Sequence, residues 1–164
     1  MKHFGKRIWG MAATALLLAT TVTLSTAGPA QADGRRGFIA TVSGARFTGA
    51  IEWQEGPNFN SRAFIENAQV QDTAGDDYRA VAYLHYEVVP YYWGNCNDLG
   101  CQLLQGPREK RDVYLSNATP QGDTSAAHWD YTRNMGKIEN VWVQVCTEQW
   151  RYTPHKQISC SGWR

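Results

Sequence analysis

Imidazoles, thiols, carboxylates and aromatic rings are the side chains able to do chemistry, and their spacing decides which chemistry is open to them. Beyond residue 32 the chain carries His85, His128 and His155. An imidazole serves nucleophilic catalysis when a Ser or Cys lies within hydrogen-bond reach and a carboxylate orients the ring. His85 falls mid-strand on the more polar face of an alternating run, His128 precedes Trp129 and Asp130, and His155 follows Pro154 in a loop. No G-x-S-x-G elbow and no H-E-x-x-H pair accompanies them. The expected catalytic set is empty and the chain is not read as an enzyme. A small hydrolase or a protease inhibitor is the minority reading, because both can sit on small disulfide-bonded β scaffolds.

The thiols are Cys96, Cys101, Cys146 and Cys160. An even count beyond an export leader reads as two disulfides, each contributing about 2 to 3 kcal/mol. Of the three pairings, the local one is favoured: Cys96 with Cys101 inside a Gly/Asn-rich loop, and Cys146 with Cys160 across a hairpin-sized gap. Zinc would need paired C-x2-C knuckles, which these gaps do not supply. Glu52 with Glu55, or Asp76 with Asp77, are the carboxylates a glycosidase would need, about 5 to 9 Å apart. Adjacent aspartates point to opposite sides of an extended chain, and in a turn they cap backbone amides. Asp72, Asp76 and Asp77 could hold calcium, but the EF-hand spacing is absent and a solvated turn is the expected state. No metal and no cofactor is expected.

Aromatic residues are the one strong excess. Six tryptophans and eight tyrosines follow residue 32. Flat rings with a polar edge stack on sugars or anchor protein interfaces. Trp53, Trp129 and Trp142 alternate within strands and are read as core. Tyr91, Tyr92, Trp93, Trp150 and Tyr152 fall in loops or near strand ends, and these five are the candidate ligand-stacking residues.

The elements that position these groups are all extended. From Arg46 onward Phe47, Gly49, Ile51 and Trp53 point one way, and Gly56-Pro57-Asn58 then breaks the strand. A weaker strand covers 64–70. The longest alternating run, 78–89, places Ala80, Ala82, Leu84, Tyr86 and Val88 on one face, and Pro90 is expected to end it. A long loop over 91–107 follows. Further strands are expected at 112–116, 127–132 and 140–147, with candidate edge strands at 150–153 and 159–163. No apolar residues recur at helical spacing after the leader. The pattern predicts a single antiparallel β-sandwich of about seven or eight strands with two disulfides.

Residues 1–32 read as a signal peptide: Lys2, Lys6 and Arg7 form a cationic head, an apolar run covers 11–24, and Ala30-Gln31-Ala32 is a small-x-small cleavage site. The run is shorter than the roughly 18 to 20 residues that span a bilayer, so no stable membrane anchor is expected. A secreted, extracellular protein is predicted. The remaining 132 residues suit one domain and carry 13 basic against 15 acidic side chains, a net charge of −2. That balance, with Arg108 to Arg111 interrupted by Glu109, excludes nucleic acid as a partner.

Residues 33–44 contain Gly34, Gly37 and Gly44 around a strand-competent patch, Phe38, Ile39, Ala40, Thr41 and Val42. They read as a flexible Gly-rich N-terminal arm ahead of a β-sandwich domain over 45–164. Such an arm can add as a strand to a partner, pair with its own sheet or stay disordered. Trp129-Asp130-Tyr131, Val141-Trp142-Val143-Gln144-Val145-Cys146 and Cys160-Ser161-Gly162-Trp163 resemble a group of small exported β-sandwich proteins of filamentous actinobacteria, over about half the chain that follows the leader. Within that group the leader, size, arm and two disulfides resemble the adaptor subunit of umbrella toxin particles. The resemblance implies a non-catalytic adaptor in an extracellular antibacterial toxin complex. It would join a lectin-like subunit of degenerate trypsin fold to a repeat-bearing toxin, with the arm, Phe38 to Val42, in a cleft of the lectin subunit. A secreted carbohydrate-binding module, lectin-like or cell-wall-binding, is the alternative.

Overall fold

Side chains that alternate apolar and polar along an extended backbone give a strand one dry face and one wet face. The computed structural model describes residues 33–119, 122–149, 151 and 156–164, in which this pattern builds nine strands. They are β1 (Gly34–Val42), β2 (Ala45–Gly56), β3 (Asn60–Asp72), β4 (Tyr78–Asn97), β5 (Gly100–Gln105), β6 (Glu109–Ala118), β7 (Thr124–Arg133), β8 (Gly136–Gln149) and β9 (Lys156–Cys160). A three-residue 3-10 turn at Pro57–Phe59 joins β2 to β3. No helix among the described residues is long and apolar enough to cross a membrane. The expected leader lies outside the described residues, as do Trp150, Tyr152 and His155.

All pairings are antiparallel. One sheet has the order β1-β2-β3-β7; the other runs β9-β8-β4, with β6 and β5 sharing the remaining edge of β4. The facing surfaces bury Phe47, Ile51, Ile65 and Val70 against Leu84, Val88, Val143 and Val145. A fully buried side chain of this size stabilises the fold by about 1.5 to 3 kcal/mol. Alanines at 40, 45, 63, 68, 80 and 82 leave room for the rings of Phe38, Phe47, Tyr86 and Trp129. Phe38 meets Phe47 at 4.8 Å and Tyr86 meets Trp129 at 4.9 Å between centroids. The expected even-numbered inner face of β4 is therefore the observed one.

Gly49 sits where the β2–β3 register shifts. A Cβ there would lie 2.6 Å from the Ala68 methyl and 2.9 Å from the Phe38 ring, so only glycine fits. Gly44, at φ +84°, closes the tight β1–β2 turn in the left-handed region. Both disulfides follow the local pairing, Cys96–Cys101 and Cys146–Cys160, and no described cysteine is free. The second joins opposed residues of β8 and β9.

Several expectations need correction. Residues 33–44 are not a free arm: β1 pairs with β2 along its whole length and buries Phe38 and Ala40. The strand-forming Phe, Ile, Thr and Val that made the patch strand-competent also alternate between the two faces, which lets it bury one of them on its own sheet. Pro90 does not end β4. It sits where β8 pairing stops, at Pro90↔Gly136, and where β5 takes over from β6, so its missing N–H interrupts no ladder. Its carbonyl accepts from Gly106 N–H at 2.8 Å, and Tyr91 N–H reaches the Met135 carbonyl at 2.7 Å. The expected loop over 91–107 is thus largely a hairpin. Among the tryptophans read as core, Trp129 is buried and Trp53 packs against the core, whereas Trp142 is exposed beneath the Arg36 guanidinium, 4.8 Å from its ring.

Candidate functional site

The aromatic run 91–93 lies on the continuation of β4 beyond the sandwich. Tyr91 pairs with Gln105, Tyr92 with Leu104 and Trp93 with Leu103, and the ribbon turns at Asn97↔Gly100. Three features hold its shape. Cys96–Cys101 closes the tip covalently. The Asn97 side-chain oxygen accepts from Leu99 N–H at 2.9 Å, an Asx turn. Leu104 lies over Gly94, so close that a Cβ there would stand 2.7 Å from its Cδ1. At the base, Tyr91 meets Phe59 edge-on at 5.7 Å.

This ribbon leaves large apolar groups in water: Tyr92 is 51% exposed, Trp93 58% and Leu99 97%. Two of the five candidate stacking residues, Tyr92 and Trp93, are thus held on one covalently closed element, with Tyr91 half-buried at its root. Trp150 and Tyr152 lie outside the described residues. Leu99, at the tip of the ribbon, and Phe59, against Tyr91 at its root, were not singled out by the sequence. Their only signal was a large apolar residue beside turn-formers, Asp98-Leu99-Gly100 and Asn58-Phe59-Asn60.

The second assembly of chemical groups occupies the outer face of the β4–β6–β8 sheet. His85, opposite Asp112 and Trp142 in register, places Nδ1 2.6 Å from the Asp112 carboxylate and Nε2 3.9 Å from Glu87. Trp163 covers the imidazole at 5.7 Å. Glu87 is buried and accepts from Asn140 Nδ2 at 2.7 Å and Arg108 Nη1 at 2.8 Å. The Asn140 hydrogen bond first, and the Arg108 guanidinium after it, hold the Glu87 carboxyl below the usual carboxylate range against the opposing effect of burial. One strand pair further on, the Tyr83 hydroxyl donates to buried Glu148, which also receives Arg79 at 3.0 Å. Burial and that carboxylate push the Tyr83 phenol up. The arrangement orients an imidazole between two carboxylates and a ring; the polar contacts of His85 among the described residues are these two carboxylates.

The other sequence candidates are dispersed. Glu52 pairs with Arg35 at 2.9 Å, and Glu55 lies 3.9 Å from Lys137. Asp76 caps Tyr78 N–H and Asp77 pairs with Arg151. Asp72 is not in a solvated turn: it is buried, with Oδ1 accepting from Ala74 N–H and Oδ2 without a partner among the described residues. Burial, with Asp76 and Asp123 nearby, raises its carboxyl above the usual range. Among the described residues no group of three or more His, Cys, Asp or Glu could hold a metal ion. His128 lies exposed on β7.

Of the expected partner-binding patch, Phe38 and Ala40 face the core, Val42 is partly buried against it, and Ile39 and Thr41 face water. A shallow depression of about 360 Å³ lies beside them, floored by Gly37, Gly49 and Ala50 and rimmed by Arg35, Glu66 and Asn67. Comparison with family models, with curated proteins and with solved structures finds no match to this chain.

Proposed function

We propose that this chain is a non-catalytic protein-binding module acting outside the cytoplasm, an adaptor that links subunits of an extracellular antibacterial toxin complex. The observation that carries the binding reading is the β4–β5 hairpin, with Tyr92, Trp93 and Leu99 exposed on a ribbon closed by Cys96–Cys101. Aromatic and large apolar anchors held in one conformation are what interface hot spots are made of, since little entropy is left to lose on docking. Two disulfides suit an oxidising compartment. The leader reading and the sequence resemblance support the finer assignment, with a lectin-like subunit of trypsin fold and a repeat-bearing toxin as partners.

The test is capture of the tagged chain from culture medium of its own host, followed by mass spectrometry. A lectin-like or repeat-bearing protein recovered with wild type and lost with Trp93→Ala supports the reading. Recovery of the chain alone, or partners retained by Trp93→Ala at equal yield, refutes it. A carbohydrate-binding module is the second reading, favoured by exposed Tyr114 and Trp163 around the Asp112–His85 pair. Sedimentation with insoluble polysaccharide, abolished by Trp163→Ala and untouched by Trp93→Ala, would establish it instead.

A further inference from the structure

We propose that the edge of β1 left unpaired among the described residues pairs antiparallel with the same edge of a second copy of this chain, joining two four-stranded sheets across a two-fold axis at Ile39. The inference rests on how the sheet edges are protected and is independent of the hairpin. A strand at the end of a sheet offers unpaired N–H and C=O groups, which proteins blunt with bulges, charges, proline or short length. Among the described residues the other edge strands are interrupted in their ladders, charged or short. The ladders of β5, β6, β7 and β9 each contain a register shift. β6 also carries Lys110, Arg111 and Asp112, β7 carries Asp130 and Arg133, and β9 is five residues long.

The edge strand β1 has none of these devices over Gly37 to Val42. Its nine residues pair with β2 in unbroken register from Gly34↔Trp53 to Val42↔Ala45. No charge and no proline falls within that stretch, and Ile39 stands 61% exposed on its outer face. A bare apolar side chain at the centre of a straight, uncapped edge is the arrangement that templates pairing.

The occupant follows from self-complementarity. Antiparallel pairing about Ile39 sets Ile39 against its own copy, Phe38 against Ala40, Gly37 against Thr41, Arg36 against Val42 and Arg35 against Ser43. No like charges meet. The two copies of Arg35 end about 27 Å apart along the strand, at roughly 3.4 Å per residue, well beyond a Debye length at physiological salt. Within its own subunit Arg35 is held by Glu52 at 2.9 Å, and Arg36 by the Val141 carbonyl at 2.8 Å. The β-branched pair at the axis is a favourable cross-strand contact, and the interface is isologous, so it closes at two copies.

Sedimentation equilibrium of the purified chain with both disulfides intact tests this. The expected result is a mass that moves between one-chain and two-chain values with concentration. Ile39→Lys, which sets two ammonium groups opposite each other at an exposed position, should weaken association about tenfold or more while circular dichroism and melting stay those of wild type. On mild oxidation Ile39→Cys should crosslink to its own copy, and Trp93→Ala should leave the dimer unchanged. A one-chain mass at every concentration overturns the proposal. So does a dimer that Ile39→Lys does not weaken, or Ile39-dependent capture of a different protein by a chain that is otherwise single.

Discussion

Breaking the hairpin crosslink with Cys96→Ser and Cys101→Ser separates the stability of the sandwich from the order of the hairpin. Crosslinks restrict the unfolded chain more as the closed loop lengthens. With separations of 5 and 14 residues, the two disulfides are worth about 2 and about 3 kcal/mol on that relation. The larger value should appear in full for Cys146–Cys160, because Cys146 is fully buried and its bond ties β8 to β9. The smaller should not. Both Cys96 and Cys101 are exposed, on a ribbon whose tip residues pack against no core cluster. An isolated two-stranded ribbon is marginal in water, so without its tether it should open locally while the sandwich stays folded. Urea unfolding followed by tryptophan fluorescence should therefore give an unfolding free energy within about 0.5 kcal/mol of wild type, a small effect on the scale of single substitutions. Amide exchange should accelerate only over the hairpin. A partner that needs the ordered ribbon would bind up to about thirtyfold more weakly, the equivalent of 2 kcal/mol. A full 2 kcal/mol loss of global stability, with exchange rising in the core strands too, would show the hairpin to be part of the cooperative unit and refute the reasoning.

Gly49→Ala should destabilise by about 1 to 3 kcal/mol in the same urea assay, because the added methyl meets Ala68 at 2.6 Å at a register shift that cannot slide. Asp72→Asn should raise the melting temperature at neutral pH and flatten its pH dependence. A carboxyl raised by burial favours the folded state while protonated, and that contribution is lost as pH rises through its folded value. Glu87→Gln should act in the opposite sense. A depressed carboxylate stabilises above its ordinary value of 4.5 and loses that contribution as pH falls through the lower folded one, so the substitution should cost stability near pH 7 and remove part of the acid-induced loss. Melting curves between about pH 3 and pH 7 read both.

The strands were legible wherever a period of two met a buried face, as in 46–53 and 78–89, because a one-residue slip there would invert the whole pattern. The local disulfide pairing was legible for a similar reason, since sequence proximity and hairpin geometry agree. What escaped was the state of segments whose composition fits two outcomes. Glycines at 34 and 37 argued for a loose arm, yet both fit a strand here: Gly34 lies under the Trp53 indole, and the position of Gly37 is open, with the Gly49 carbonyl 3.9 Å from where a Cβ would stand. Pro90 argued for a strand end, but proline interrupts only a ladder that needs its N–H, and which neighbour flanks residue 90 is a tertiary fact. Burial of Asp72 was invisible for the same reason: Asp-rich turn chemistry reads as solvated until the backbone of Gly44 and Asp123 is seen around it.

The hairpin also answers a question of material. The facing layer of β4 is complete by Val88, and the side chains that bury themselves to fold the sandwich are accounted for between β1 and β8. Beyond Pro90, apolar residues on a two-stranded ribbon gain little from folding, because among the described residues no second sheet covers Tyr92, Trp93 or Leu99. Exposed apolar surface of this kind is an aggregation liability unless it has a use, and a covalent tie at the tip keeps it in one shape at low entropic cost. The same reasoning applies to β1, whose counterparts at the other edges are interrupted in their ladders, charged or short while its own apolar centre is left bare. Folding demands neither surface, and the association proposed for each would give it a use.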